Sequence, residues 1–417
     1  MSRPDSIGAL LARARLARGW SQLRLAELLC AAAGQATITR HEVSRWEREE
    51  RIPSAHWLGW LGAVLEVEAD ELGAAVAVAR QRRAVADDRP APVDPSPLWT
   101  LDDSPPWTDE AAYPQSLDGL AARIGELRRM DDLVGGLDLV GLVRGELGAA
   151  LARARRLPTR RRLRLVAELA QLAGWTAADA GLAAEALRAY HLGLSVAAGA
   201  GDRGLGAHLL GCLSHLAAGV GDPREALLLA HTGQAAARQG GSAGVRALLL
   251  HRVAYAAAVA GERRTGEQAL ARAEQAADRR VAAREPSWLY WLDDGELSAL
   301  TGRCFTALRR PLRAAPLLCR RLGGRDGDRG RPRTRALDGG ALVAAYLDVG
   351  EPEQAAEVAE TALLDAVRSG SARAAARVLA PAAPLVRMPA GAGYAATLAA
   401  CRPYLPGVEV TRKRACG

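Results

Sequence analysis

Apolar positions recur every three or four residues along most of the chain, the spacing that puts one stripe of a helix into a core. Ile7, Leu10, Leu11 and Ala14 mark a first helix over residues 6–18, and Leu25, Leu28 and Leu29 mark a second from Ser21. Val43 and Trp46 fall on one face of a third, which starts at Thr39, a side chain suited to an N-cap. Pro53 and Ser54 open a fourth, carrying Trp57, Leu58, Leu61 and Leu65, and a fifth follows from about Ala69 to Arg83. A first domain over 1–83 results. From Asp87 to Asp118 the pattern stops: prolines 90, 92, 95, 97, 105, 106 and 114 exclude a helix through most of the span, and eight acids face a single base, Arg89. The span 84–118 reads as an extended acidic linker. Trp99, Trp107 and Tyr113 within it anchor it to a domain or contact a ligand.

Beyond Ser116 the helical period returns and the sequence repeats. Short turns fall at Ala180-Gly181, Gly221-Asp222-Pro223, Gly261-Glu262, Arg309-Arg310-Pro311 and Gly350-Glu351-Pro352, at intervals of 40, 40, 48 and 41 residues. Five residues after each turn stands a small side chain, Ala186, Ala226, Gly266, Ala314 or Ala355, which lets two helices approach closely. Helix pairs at such a period stack into a solenoid. Residues 160–380 resemble a tetratricopeptide (TPR) array, with a period longer than the usual ~34. Helices over 117–130 and 137–156 are expected as an N-terminal capping pair, giving a repeat domain at 119–405 and a tail at 406–417.

Composition agrees with an all-α class: alanine and leucine dominate, and aromatics are only 4% of the 417 residues. Such a length implies more than one domain. The net charge of +8 permits an acidic partner without identifying one. The absence of an uncharged run of about 18 apolar residues predicts no membrane span, and the opening MSRPDSIGALLARARLARGW does not read as a signal peptide, so a cytoplasmic location is expected. The cysteines at 30, 212, 304, 319, 401 and 416 form no Cys-x-x-Cys pair and read as free thiols, with a redox pair of Cys304 and Cys319 as the alternative. His208 and His215 can share a helix face, but with no carboxylate at ligand spacing no metal or other cofactor is expected. Without a Gly-rich phosphate loop, paired carboxylates or a nucleophile elbow, no enzyme is expected either.

Two stretches carry candidate chemistry. In the third helix Arg40, His41, Ser44 and Arg45 point away from Val43 and Trp46, offering donors of different length, as base edges in a DNA major groove require. With the capped helix before it, this is the helix-turn-helix pattern. The fragments SQLRLAELL, ITRHEVSRWE and RIPS resemble repressor/Cro-type (XRE) regulators. That resemblance implies that Ser21 and Gln22 hold a backbone phosphate at a helix N-terminus, and that Thr39 caps a recognition helix whose Arg40, His41, Ser44 and Arg45 face the bases. Two departures stand out. Residues 30–38 replace the family's short turn, so helix two is expected to run on, and Glu49 stands where the family tends to have glycine. The second stretch is Pro286–Glu296, where Trp288, Tyr290 and Trp291 lie beside Asp293 and Asp294. These either line the concave face of the repeats and hold a peptide or cationic ligand, or fill core where extra residues splay the repeats. The basic run Arg153–Arg164 suits phosphates, the acidic linker or water equally, and Arg321–Arg335 reads as a Gly/Arg-rich disordered loop.

The expectation is an all-α chain, a five-helix repressor-like domain followed by a TPR-like α-solenoid. The domain order resembles peptide-responsive HTH–TPR regulators and, in its Arg- and Ala-rich style, actinobacterial regulators of development or secondary metabolism. The resemblance implies a homodimer on operator DNA with a peptide, small-molecule or protein effector. The alternative is a TPR-type interaction adaptor with an accessory or degenerate head.

Overall fold

The computed structural model describes residues 6–87, 116–323 and 331–405. The acidic linker with Trp99, Trp107 and Tyr113, residues 324–330 of the Gly/Arg-rich stretch, and the tail with Cys416 lie outside them; residues 321–323 and 332–335, expected as loop, are helical. Every described element is helical, and the chain divides into two compact units, Met1–Arg89 and Pro90–Gly417. Among the described residues no helix is long and apolar enough to cross a membrane.

The first unit holds α1 (Ile7–Ala17), α2 (Gln22–Ala33), α3 (Arg40–Glu47), α4 (Ala55–Leu65) and α5 (Ala69–Asp87). Their apolar stripes meet in one core of Ile7, Leu10, Leu11, Leu25, Leu29, Val43, Trp46, Leu61 and Leu65, to which α5 adds Leu72 and Val76. Ser21 and Ser54 cap α2 and α4, accepting from the amides of Arg24 and Trp57 at 3.1 and 3.5 Å. Thr39 takes the extended N-cap conformation at α3, but its hydroxyl accepts no capping bond, contrary to the sequence expectation. Helix α2 runs on to Ala33 and stops at Gly34, which has the left-handed φ of 64° that a Cβ would penalise. Glu49 also adopts a left-handed φ, 58°, despite its side chain. Its carboxylate accepts from the Gly8 amide at 3.1 Å, an anchor that offsets the strain.

The second unit opens with α6 (Leu117–Leu133) and α7 (Gly136–Arg156) and continues as five antiparallel hairpins. These are α8 (Arg160–Asp179) with α9 (Ala183–Ala200), α10 (Arg203–Val220) with α11 (Pro223–Gly240), and α12 (Ala243–Val259) with α13 (Arg263–Ala277). Then come α14 (Asp294–Ala307) with α15 (Pro311–Gly323) and α16 (Pro332–Val349) with α17 (Pro352–Ser369), followed by α18 (Ala372–Ala382) and α19 (Ala392–Cys401). Each hairpin turns at a residue with left-handed φ: Gly181 (83°), Gly221 (94°), Gly261 (82°), Arg309 (58°) and Gly350 (83°). The small residues Ala186, Ala226, Gly266, Ala314 and Ala355 are all buried where the paired helices close on each other. Helices α6 and α7, expected as a pair, do not pack as a hairpin: Arg123 meets Glu146 between them at 2.8 Å, but each packs mainly on α8, and both add side chains to the same core.

Arg309 is the one turn residue of the five with a side chain to strain, and its ion pair with Asp348 is exposed and contributes little. Arg309→Gly is therefore expected to stabilise the protein by about 0.5–1 kcal/mol, the left-handed penalty less the added chain entropy of glycine. A thermal melt with no upward shift would show that the turn carries no strain.

The ends of the second unit also meet. Asp179, with no exposed surface, accepts from the Gly136 amide at 2.9 Å, Ser371 Oγ at 2.8 Å and Arg373 Nε at 3.0 Å, with Arg333 Nη1 at 3.4 Å. Arg333 reaches both oxygens of Asp131 on α6 at 2.8 Å. A Cβ on Gly135 would lie 2.1 Å from the Ser369 carbonyl oxygen, so only glycine allows that approach. The last hairpin and α18 are thus bolted to α6 and α8.

Candidate functional site

In the first unit, α3 buries Val43 and Trp46 and leaves Arg40, His41 and Arg45 exposed, with Ser44 half-buried beside them. The helix is fixed by Glu47, whose carboxylate is 8% exposed. It pairs with Arg15 of α1 at 2.5 Å and accepts from Gln22 Nε2 of α2 at 2.8 Å. Arg15 also donates to the Trp20 carbonyl at 2.6 Å, so α1, α2 and α3 share one buried polar joint. Gln22, expected at a phosphate, spends its side-chain amide on this joint, while Ser21 keeps its exposed place at the head of α2. Arg45 pairs with Glu42 at 3.3 Å and lies 3.9 Å from Glu50, and Arg51 reaches Glu42 at 3.4 Å. Neither Arg40 nor His41 has such a tie among the described residues.

The second unit encloses a cavity of about 400 Å³. Its wall comes from α6, the segment between α13 and α14, and the first helix of every hairpin together with α18; the second helices contribute nothing. The residue six positions before each turn faces inward at every repeat: Trp175, His215, Tyr255, Arg303 and Ala344. The residue three before that, on the same helical face, adds Leu172, Arg252, Leu300 and Ala341. Trp175, His215 and Tyr255 form a ladder, with ring centroids 6.2 and 5.8 Å apart, flanked by Arg373 over Trp175 at 4.2 Å and Arg377 over Tyr255 at 5.7 Å.

Most of the cavity's charges are matched. Arg128 meets Glu168 at 2.9 Å, Arg303 meets Asp338 at 2.7 Å and also Glu296, and Arg331 lies 3.7 Å from Asp132. Burial, reinforced by Arg252 and its neighbours, pushes the histidines down: His208 to about 3, His251 to about 4 and His215 well below its ordinary value. All three stand neutral at pH 7. Burial likewise pushes the Cys304 thiol up to about 12, which keeps it protonated and disfavours a redox pair with the exposed Cys319.

The segment between α13 and α14 splits the sequence expectation in two. Trp288, Tyr290 and Trp291 line the cavity: Trp288 is buried and stacks on His208 at 4.5 Å, and the Tyr290 hydroxyl donates to Asp132 at 2.9 Å and lies 3.1 Å from the Arg128 carbonyl. Asp293 and Asp294 do not. Asp293 caps α14 through the Glu296 amide at 2.7 Å, and Asp294 pairs with Arg280 at 2.5 Å in the open. Asp293-Asp294-Gly295-Glu296 is a helix start, the local demand that outranked any role in a site. Helical spacing alone does not group the histidine, arginine and Trp175 positions, although aligning the turns brings Trp175, His215 and Tyr255 into register at 40-residue steps. The dense basic run falls at the junction of α7 and α8, where Arg164 meets Asp202 at 3.1 Å and Arg161 pairs with Asp118. No protein-family model matches the chain, and no curated protein sequence matches it.

Proposed function

We propose that the chain is a sequence-specific DNA-binding transcriptional regulator of the repressor-like helix-turn-helix type. In this reading α3 enters the major groove, and the TPR-like repeats hold an effector in their cavity. The observation that carries it is the rigid presentation of α3: one face sealed in the core by Val43 and Trp46, its end clamped by Glu47, and Arg40, His41 and Arg45 held outward on the other face. Phosphate contacts come from the exposed N-terminus of α2 at Ser21, and Gln22 acts chiefly by holding α2 against α3. A single short reading helix covers one half-site, so a homodimer on a two-fold symmetric operator is proposed, with control of development or secondary metabolism as its biological setting.

A second reading, an interaction adaptor with an accessory head, is favoured by one feature. Glu42 and Glu50 draw Arg45 and Arg51 into intramolecular pairs, which a DNA phosphate or base must displace. Selection of genomic fragments by the full-length protein separates the two: the regulator yields a symmetric motif, whereas the adaptor yields none. On that motif, Arg40→Ala and Arg45→Ala are each expected to lose about 1–3 kcal/mol of affinity with helical circular dichroism unchanged. The weaker loss is expected at Arg45, which already has acidic partners. Unaltered affinity in both variants would remove α3 from the interface.

A further inference from the structure

The cavity's wall is specific about charge. Arg252, Arg303, Arg373 and Arg377 all lie close enough to His215 to act on its protonation. Arg303 and Arg373 have carboxylate partners in Asp338 and Asp179. Arg252 has none: it is 7% exposed, lines the cavity, and makes no hydrogen bond or ion pair among the described residues. Arg377 stacks over the Tyr255 ring and likewise makes no hydrogen bond or ion pair among the described residues. Nearby, His215 Nδ1 and Arg128 Nη2 are buried without a hydrogen-bond partner. A buried cation repelled by two others, Arg303 and Arg373, destabilises an empty protein unless an anion joins it. The Trp175–His215–Tyr255 ladder beside these groups offers flat apolar surface, and the volume of about 400 Å³ suits a small molecule.

We propose that the cavity binds a small organic anion, with a carboxylate or phosphate held by Arg252 and Arg377 and a flat unsaturated body against the Trp175–His215–Tyr255 wall. This reverses the sign expected from Asp293 and Asp294, the acids that lie outside the cavity. It rests on the effector reading of the cavity but not on DNA recognition by α3.

The test is calorimetric titration of the full-length protein with four naphthyl probes of like shape: naphthoate, naphthyl phosphate, naphthylmethanol and naphthylmethylammonium. One or both anions are expected to bind at least about tenfold tighter than the alcohol, the ammonium is expected not to bind, and the better anion identifies the acidic group. Arg252→Met and Arg377→Met are each expected to weaken that anion about tenfold, and Arg144→Met, on an exposed arginine outside the cavity, to leave it unchanged. Ligand-free Arg252→Met is also expected to melt above the wild type, because it removes an unmatched buried charge. Equal binding of alcohol and anions, preference for the ammonium, no binding by any probe, or a lower melting temperature in Arg252→Met would each overturn the proposal. Anion binding without a DNA motif would leave this inference standing and remove the regulator; a motif without anion preference would do the reverse.

Discussion

Asp179→Ala is expected to cost the second unit about 3–5 kcal/mol, the typical loss when one member of a buried charge network is removed. The carboxylate has no exposed surface and serves four donors drawn from the Gly136 amide, Ser371, Arg373 and Arg333. Burial by itself would raise its pKa, yet Arg373 and Arg333, with the two neutral donors, hold it below the ordinary carboxylate range. Its alanine variant leaves two guanidinium groups under-compensated and the Gly136 amide unpaired. Asp179→Asn keeps the volume but loses the charge and turns one acceptor oxygen into an NH2 group that faces donors, so it too should destabilise, by an amount comparable to alanine. Urea unfolding followed through the repeats measures both, and hydrogen exchange should show α6 and α18 opening first. A loss below about 1 kcal/mol in the alanine variant would mean that the two ends are held by packing alone.

Acid is expected to unfold the repeats well before it reaches that carboxylate. His208, His215 and His251 have folded pKa values depressed far below the ordinary 6.5, so the unfolded chain binds more protons than the folded one at every pH between the two values. Their stability contribution is complete above about pH 6.5 and is lost as the pH falls toward 4. At pH 5 His208 and His251, with folded values of about 3 and 4, have each lost about 2 kcal/mol, and His215 adds to the loss in the same direction. Asp179, a depressed acid, adds its own loss only below about pH 4. Hydrogen exchange of α10 and α12 at pH 7.5 and pH 5 reads the effect, and His251→Gln should remove about one proton from the slope. Equal protection at the two pH values would show that the cavity admits water and charges its histidines without unfolding.

What could be read from the chain was whatever obeys a local rule. The five turn residues and the small residue after each were legible because a left-handed helix end and a close helix approach constrain single positions. The third helix was legible because Val43 and Trp46 leave one polar face. The Glu47 joint was not, since Arg15, Gln22 and Glu47 meet only after three helices pack. Nor was the Asp179 clasp, whose partners Arg333 and Arg373 lie 154 and 194 residues away. Of the two aromatics Trp288 and Tyr290, which face the cavity, Trp288 is also packed in the core, whereas Tyr290 stays 47% exposed. The place of Asp293 and Asp294 is not legible, because a carboxylate beside an aromatic looks alike in sequence whether it meets a ligand or starts a helix.

The clasp also fixes how this molecule can change over evolutionary time. Repeat proteins ordinarily gain and lose whole units with little harm, since each unit touches only its neighbours. Here the first and last units are neighbours too. Excising α12 and α13, or duplicating them, would rotate Arg333 and Arg373 out of reach of Asp179 and Asp131. The number of hairpins is therefore locked, and new specificity has to come from substituting inward-facing side chains rather than from lengthening the array.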